Sequence, residues 1–345
     1  MDAYLVRLRF QGPIHVGHDE AGIGMEAVLP FLHSDTIFSA FCNAWASCSE
    51  GNTYLKEIKE KSVPAVFSSA FFYRGNYGGS GVKYTYYLPR PMLPLPGKFG
   101  PLSKTVKNAE FITLEQFINW AKGRITDFAS AQLNGIGSTL NNYKDLYTMQ
   151  LRPRHAQDRL TMASSIYHNG EVFFRSKPNE GGLYFICLTS NKEALAFGLK
   201  ILQHWGFGGI RSAGYGKFSY DLEGPLGAES TFGELLFSEA EDANAHCLLS
   251  LYYPPKSEMG DVNYLAYKTI IRKGWFHSVE SELSLKRKSC SMLSEGSVMR
   301  KKPTGIVLDL KPKDFTRHAV FRSGIALSVS LRINDFDTSI GEGVC

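Results

Sequence analysis

Residues 4–10 alternate apolar and polar side chains and predict a first strand that places Arg7 and Arg9 on one face. The period then changes. Ser34 opens a run through Cys48 in which Ile37, Phe38, Phe41, Cys42 and Trp45 share one side of a helix. Residues 68–74 and 82–88 read as two strands joined by the turn-rich stretch 75–81, a hairpin signal. Thr113, with Gln116 three residues on, starts a second helix whose buried side is Leu114, Phe117, Ile118 and Ala121. Residues 183–188 are continuously apolar, as a buried strand is. A capping-box pattern at Ser190–Glu193 then begins a helix carrying Leu195, Leu199 and Leu202, which Gly206 stops, and residues 217–222 alternate again as a strand.

Taken in order, the first part reads strand, helix, two strands, helix, strand with insertions, the order of a ferredoxin-like unit. Two stretches stand apart from it. Prolines 91, 94, 96 and 101 make an irregular surface segment, and residues 129–181 are polar and without period, reading as an arm that carries Arg152, Arg154, Arg159, Arg175 and Lys177. After residue 224 the chain is strand-rich, with apolar runs at 246–253, 305–310 and 325–333.

The most chemically constrained stretch is residues 205–218, WGFGGIRSAGYGKF. Gly206, Gly208, Gly209, Gly214 and Gly216 would each weaken a helix or strand by about 0.5–1 kcal/mol, so they suit a loop that needs positive φ or a close approach. The order here is helix, loop, strand. Nucleotide cradles run strand, loop, helix and use the amides at a helix N-terminus, so this loop is not one of them. It offers bare amides with Arg211, Ser212, Tyr215 and Lys217, an inventory of donors, guanidinium and aromatic face suited to a phosphodiester chain. It can also serve as a tight connection that packs Trp205, Phe207 and Phe218 into a core; the two readings are compatible.

The loop from Gly206 to Gly216 resembles the glycine-rich loop of the RAMP superfamily of CRISPR proteins. Residues 33–36 (HSDT), Arg152-Pro153-Arg154 with Asp158-Arg159, residues 272–275 (RKGW), residues 295–297 (EGS), and His318 with Arg322-Ser323-Gly324 resemble its Csm branch, in one order from about residue 30 to 330. The resemblance implies an α+β fold of two ferredoxin-like (RRM-like) units, the second degenerate, with a protruding thumb β-hairpin at about 129–181. Residues 1–224 would form the first unit and 225–345 the second. It further implies a non-catalytic subunit that holds the 5′ handle of the crRNA in a type III-A complex and caps the effector filament. Its partners would be crRNA, target RNA through the complex, a large polymerase-like subunit and a repeating backbone RAMP subunit. The positions that match are His33, Ser34, Arg152, Arg154, Arg159, the glycine loop with Arg211, Ser212, Tyr215 and Lys217, and Lys286, Arg287, Lys288, Ser297, His318 and Arg322. No cofactor or metal is implied.

Composition narrows the alternatives. The 345 residues carry a net charge of +5, too small to announce nucleic acid by itself. Its distribution is uneven: residues 221–242 hold seven acids and no Lys or Arg, whereas residues 268–302 hold nine Lys and Arg against three Glu. This segregation suits a polyanion on one face. Six cysteines without a C-x-x-C pair predict reduced thiols. The absence of a long apolar run and of a signal-peptide pattern predicts a cytoplasmic chain without membrane contact. A metal-independent RAMP endoribonuclease acting on pre-crRNA is the enzyme alternative. His15, His18, His33 and His155 are its candidate bases, none at motif spacing from a partner. A metal-dependent nuclease would need an Asp, and Asp19 and Asp35 are the nearest.

Overall fold

A computed structural model describes residues 1–17, 25–47, 51–60, 64–79, 81–93, 109–124, 142–237, 242–260, 264–277 and 284–333. The alternating first strand forms as β1 (Asp2–Phe10). It lies inside a seven-stranded antiparallel sheet with β2 (Ala65–Phe67), β3 (Phe71–Gly78), β4 (Gly81–Pro89), β5 (Phe111–Thr113), β8 (Asn179–Thr189) and β9 (Phe218–Glu223). The order is β5-β4-β3-β8-β1-β9, with β2 also on β8, and Val6 faces Phe185 and Leu222 in register. Between β5 and β8 the chain leaves the sheet as β6 (Tyr147–Gln157) and β7 (Ser164–Phe174), a separate two-stranded hairpin of eleven residues a side.

Helices close both faces of the sheet. On one, α1 (Ser34–Ala46) and α4 (Lys192–Trp205) pack together, Trp45 Nε1 donating to the Ala194 carbonyl at 3.1 Å. The Phe41 ring reaches Phe67 and Phe185, at 4.7 and 6.3 Å between centroids. The side chain of residue 198 would collide with that ring, which explains a glycine in mid-helix. On the other face Phe232 of α5 (Thr231–Phe237) meets Tyr86 and Tyr184. The short α2 (Gly51–Lys59) follows α1, and α3 (Leu114–Ala121) has the capping box read from Thr113 and Gln116.

Two helix starts differ from their sequence reading. The cap of α4 is Asn191, whose Oδ1 accepts the Ala194 amide at 2.9 Å, one residue beyond Ser190. Ser34 does not cap α1: the N-cap position is His33, and Ser34 Oγ instead accepts the amide of Leu251 at 2.9 Å. The helix linking the sheet strands β8 and β9 is α4, while α3 sits at the β5 edge. The second helix of the alternating set is therefore the one before the glycine loop.

Beyond residue 224 the strands are short. β10 (Ala245–Leu248), β11 (Tyr264–Ala266), β16 (Val298–Met299) and β19 (Ser328–Leu331) form a sheet in the order β11-β16-β10-β19. Three two-stranded ladders accompany it: β12 (Thr269–Arg272) with β15 (Cys290–Leu293), β13 (Trp275–His277) with β14 (Ser284–Lys286), and β17 (Val307–Asp309) with β18 (Phe321–Ser323). One apolar core runs through both parts, taking in Cys247, Leu249, Val329 and Leu331 with the residues of the large sheet. No helix among the described residues is long and apolar enough to cross a membrane.

Candidate nucleic-acid interface

The glycine loop is stapled from beneath. The Phe207 amide donates to the Gly216 carbonyl at 3.0 Å; Gly209 donates to His15 O at 2.8 Å, and Gly216 donates to Pro13 O at 2.9 Å. Gly206, Gly208, Gly214 and Gly216 all have positive φ, between 75° and 87°. A side chain at Gly206 would lie 2.6 Å from the Tyr215 carbonyl, and one at Gly216 would fall on the Phe207 carbonyl. These glycines thus permit the loop's internal closure, and six of its amides, those of residues 206, 207, 209, 213, 214 and 216, are committed to backbone carbonyls of the protein. This corrects the expectation of a bare strip of amides. Phe207 and Phe218 stack in the core at 5.0 Å, as the packing reading requires, but Trp205 stays exposed.

The outer side of the loop is what the stapling presents. Arg211, Ser212, Gly214 and Lys217 are exposed, Arg211–Ala213 forming a single 3₁₀ turn entered through Ile210 at φ 56°. His204, Trp205, Arg211, Ser212 and Lys217 border one open groove. Tyr215 points inward, so its ring is not free to stack on a base.

Tyr215 instead ties the loop to the β6–β7 hairpin. Its hydroxyl bonds the carboxylate of Glu171, a wholly buried residue of β7, and accepts from Arg154 Nη2 at 2.6 Å. Gln150 donates to the same carboxylate at 3.2 Å, Arg152 Nη1 lies 3.8 Å from it, and His15 Nδ1 bonds the next carbonyl, Gly170, at 2.9 Å. A buried carboxylate is tolerated only when so surrounded. Glu171→Gln is expected to weaken this junction: the Tm falls, and limited proteolysis cuts the hairpin faster, with the change confined to residues 147–174 and 206–216.

The hairpin itself exposes both cations and apolar groups. Arg152 and Arg159 are exposed and Arg154 is half-buried against Tyr215. Asp158 pairs with no arginine among the described residues; its Oδ1 accepts the amides of Leu160 and Thr161, both at 2.8 Å, and shapes the tip. Leu160 (94% exposed), Met162 and Ile166 stand out into solvent there.

Other expected RNA-facing residues lie inside the protein. His33 Nδ1 is 2.8 Å from Glu295 Oε1, and Ser69 Oγ bonds the same oxygen and accepts the Ser34 amide at 2.9 Å. Arg322 and Arg272 both grip Asp35, Arg272 through Nε and Nη2 at 3.0 Å each. Burial opposes the charge on Asp35, but the two guanidiniums outweigh it and hold its carboxyl well below the usual carboxylate range. Glu295 is held low in the same way, with His33 and Ser69 overcoming burial. Ser297 Oγ donates to Ser294 O at 2.7 Å. His33, Ser34, Ser297 and Arg322 are thereby withdrawn from the surface set; they join the two parts of the chain, because this helix start meets strands from residues 250–322 rather than solvent. His318 is half-buried and packs on Phe276 and Phe315, at 6.2 and 4.7 Å.

Lys286 and Lys288 are exposed on β14 and just after it, Lys286 Nζ 5.0 Å over the Trp275 ring, and Arg287 is half-buried with Nη2 on the Trp275 carbonyl at 3.2 Å. Glu171 escaped the sequence reading, although a lone acid beside the apolar run 172–174 was its signal. His15 and His33 are buried, His155 is exposed, and His18 and Asp19 lie outside the described residues.

Comparison with known proteins adds to this geometry. Residues 241–331 match the family model of the CRISPR Csm4 C-terminal domain. The "CRISPR system Cms protein Csm4" of Thermococcus onnurineus is 25% identical over 307 residues, covering 86% of this chain and 93% of that protein. The protein of the same description from Methanocaldococcus jannaschii is 22% identical over 360 aligned positions, covering 91% and 90%. Among solved structures, a chain of a Csm3–Csm4 subcomplex of the type III-A interference complex superposes with a TM-score of 0.61 at 18% identity. It spans 97% of this chain and 100% of its own. A chain of a Csm1–Csm4 cassette with pppApA gives 0.55 at the same identity and coverage. At such identity the superpositions speak to the fold.

Proposed function

The chain belongs to the Csm4 family of CRISPR-system proteins, and from that premise we propose that it is a non-catalytic, RNA-binding subunit of a type III-A effector complex in the cytoplasm. It holds the 5′ handle of the crRNA and caps the filament. The large polymerase-like subunit docks on one side and the repeating backbone subunit on the other, in line with the Csm1–Csm4 and Csm3–Csm4 assemblies of its structural neighbours.

The observation that carries this reading is the junction of glycine loop and hairpin. Arg154, Tyr215 and Glu171 fasten the two elements, one exposing Arg211, Ser212 and Lys217 and the other Arg152 and Arg159, which we read together as the RNA-binding surface. Cations fixed before binding lose little freedom on meeting phosphates. The hairpin acts as the thumb, its apolar tip of Leu160, Met162 and Ile166 wedging against a guide–target base pair. Lys286, Arg287 and Lys288 extend the RNA-facing surface on the second unit. The sheet order β9-β1-β8-β3 with α1 and α4 supports a ferredoxin-like first unit ending near residue 224, with a degenerate second unit after it. The commitment of His15 and His33 to internal partners supports a holding role over strand cleavage.

The test uses the full chain with labelled guide RNA bearing or lacking its handle, with the large subunit added in a parallel series. Retention that depends on the handle, with the RNA intact, is expected. Arg211→Ala with Lys217→Ala should weaken binding by about tenfold or more for each cation removed. It should also flatten the dependence of log K on log salt by about 0.7 per phosphate neutralised. An unchanged slope, or cutting at a discrete site, would overturn the reading.

A further inference from the structure

Trp205 ends α4 with 41% of its surface in solvent, although its sequence context reads as core beside Phe207 and Phe218. Its backbone is fixed. It is the last residue of a 14-residue helix, and the Gly206 amide that follows donates to Leu202 O at 2.7 Å and closes the final turn. The indole has no ring, cation or hydrogen-bond partner among the described residues. A large aromatic held on a rigid helix end loses little freedom when a flat group packs on it.

The surroundings of the ring decide which group that is. Trp205 borders a groove of about 910 Å³ together with His204, Arg211, Ser212 and Lys217, at the upper end of the roughly 300–1,000 Å³ that ligand sites span. No carboxylate lines it among the described residues. The amides of Gly208, Arg211 and Ser212, residues that border the groove, have no hydrogen-bond partner among the described residues, unlike the six that staple the loop. The groove is thus a set of donors and cations with an aromatic face at its edge. An apolar protein segment would leave those donors unpaired, and a free anion would leave the indole uncovered. A nucleic-acid strand answers both, because each nucleotide joins a phosphate to a π-face. Only an unpaired base has that face to offer.

We infer that Trp205 is the platform on which one unpaired base of the bound RNA stacks, its phosphate lying against the free amides and cations of the groove. This rests on the RNA-binding reading above and adds to it a residue that precedes the glycine loop. Stacking accepts any base, so the platform sets the position of the strand and does not read its sequence.

The experiment scans the guide handle with abasic sites, one position at a time, against wild type, Trp205→Ala and Trp205→Leu, with the large subunit added in a parallel series. Trp205→Leu keeps apolar bulk and lacks only the π-face, so it carries the test if the alanine variant folds poorly. One handle position is expected at which loss of the base weakens wild-type binding about five- to a hundredfold. At that position the loss disappears in both variants, which already bind intact RNA more weakly by the same factor. Their dependence of log K on log salt stays as in wild type, because no phosphate contact is removed; Arg211→Ala with Lys217→Ala behaves oppositely. Each loss compares two RNAs on one protein, so a merely structural role for Trp205 would not produce it. If wild type retains handle RNA and every abasic position costs the same in all three proteins, the platform is overturned and the RNA reading stands. If the variants bind RNA normally but no longer hold the large subunit, the indole is a protein contact and the inference is equally overturned. If wild type retains no RNA in either series, both readings fall.

Discussion

Asp35→Ala destabilises the chain by about 3–5 kcal/mol, read as a fall in the midpoint of chemical denaturation at pH 7. The carboxylate is 2% exposed and bonds Arg272 and Arg322, both themselves buried, so its removal takes away the anion that the two guanidiniums share inside the protein. The cost of breaking a buried ion-pair cluster from one side sets the magnitude. Asp35→Asn keeps the shape and isolates the charge, and its effect depends on pH. The folded-state pKa of Asp35 is depressed, so its contribution is present above the unfolded value of about 3.9 and disappears as pH falls through the folded value. The gap between wild type and Asp35→Asn should therefore be full near neutrality and narrow steadily below about pH 4. A gap that stays constant down to pH 2 would show that Asp35 is not held ionised by its arginines.

Gly216→Ala should be the most damaging small change in the glycine loop, and Gly214→Ala its control. Both residues have positive φ, 75° and 85°, so each substitution carries the left-handed penalty of about 1–2 kcal/mol. The space differs. Nothing lies within 4 Å of a Cβ at Gly214, whereas one at Gly216 would fall on the carbonyl of Phe207, the residue whose amide closes the loop onto the Gly216 carbonyl. Overpacking of that kind adds about 1–3 kcal/mol, and the loop shifts to relieve it. Gly216→Ala is thus expected to lower Tm more than Gly214→Ala and to weaken RNA retention by moving Arg211 and Lys217. Equal losses in the two variants would mean that the loop is set by backbone strain alone.

Local chemistry made much of this molecule legible from sequence. The capping box at Thr113, the amphipathic pattern of α1 and the alternation of β1 are short-range effects and need no knowledge of distant residues. The density of glycines in 206–216 signalled a tightly closed loop, though not what it closes onto. Partner assignments were the illegible part. Arg322 reads as a surface cation until Asp35, 287 positions earlier, is seen to hold it, and Ser34 reads as a helix cap until the Leu251 amide is found on its hydroxyl.

The sequence by itself determined the α+β composition, most of the strand and helix starts, the glycine loop and the arm, because backbone periodicity and turn chemistry act within a few residues. Only the tertiary structure decided which polar residues face solvent. A charge or hydroxyl brought beside an opposite partner by the fold is desolvated and held inside, while the same residue without such a partner stays in water. Sequence separations of about 200 residues or more carry no signal of which will occur.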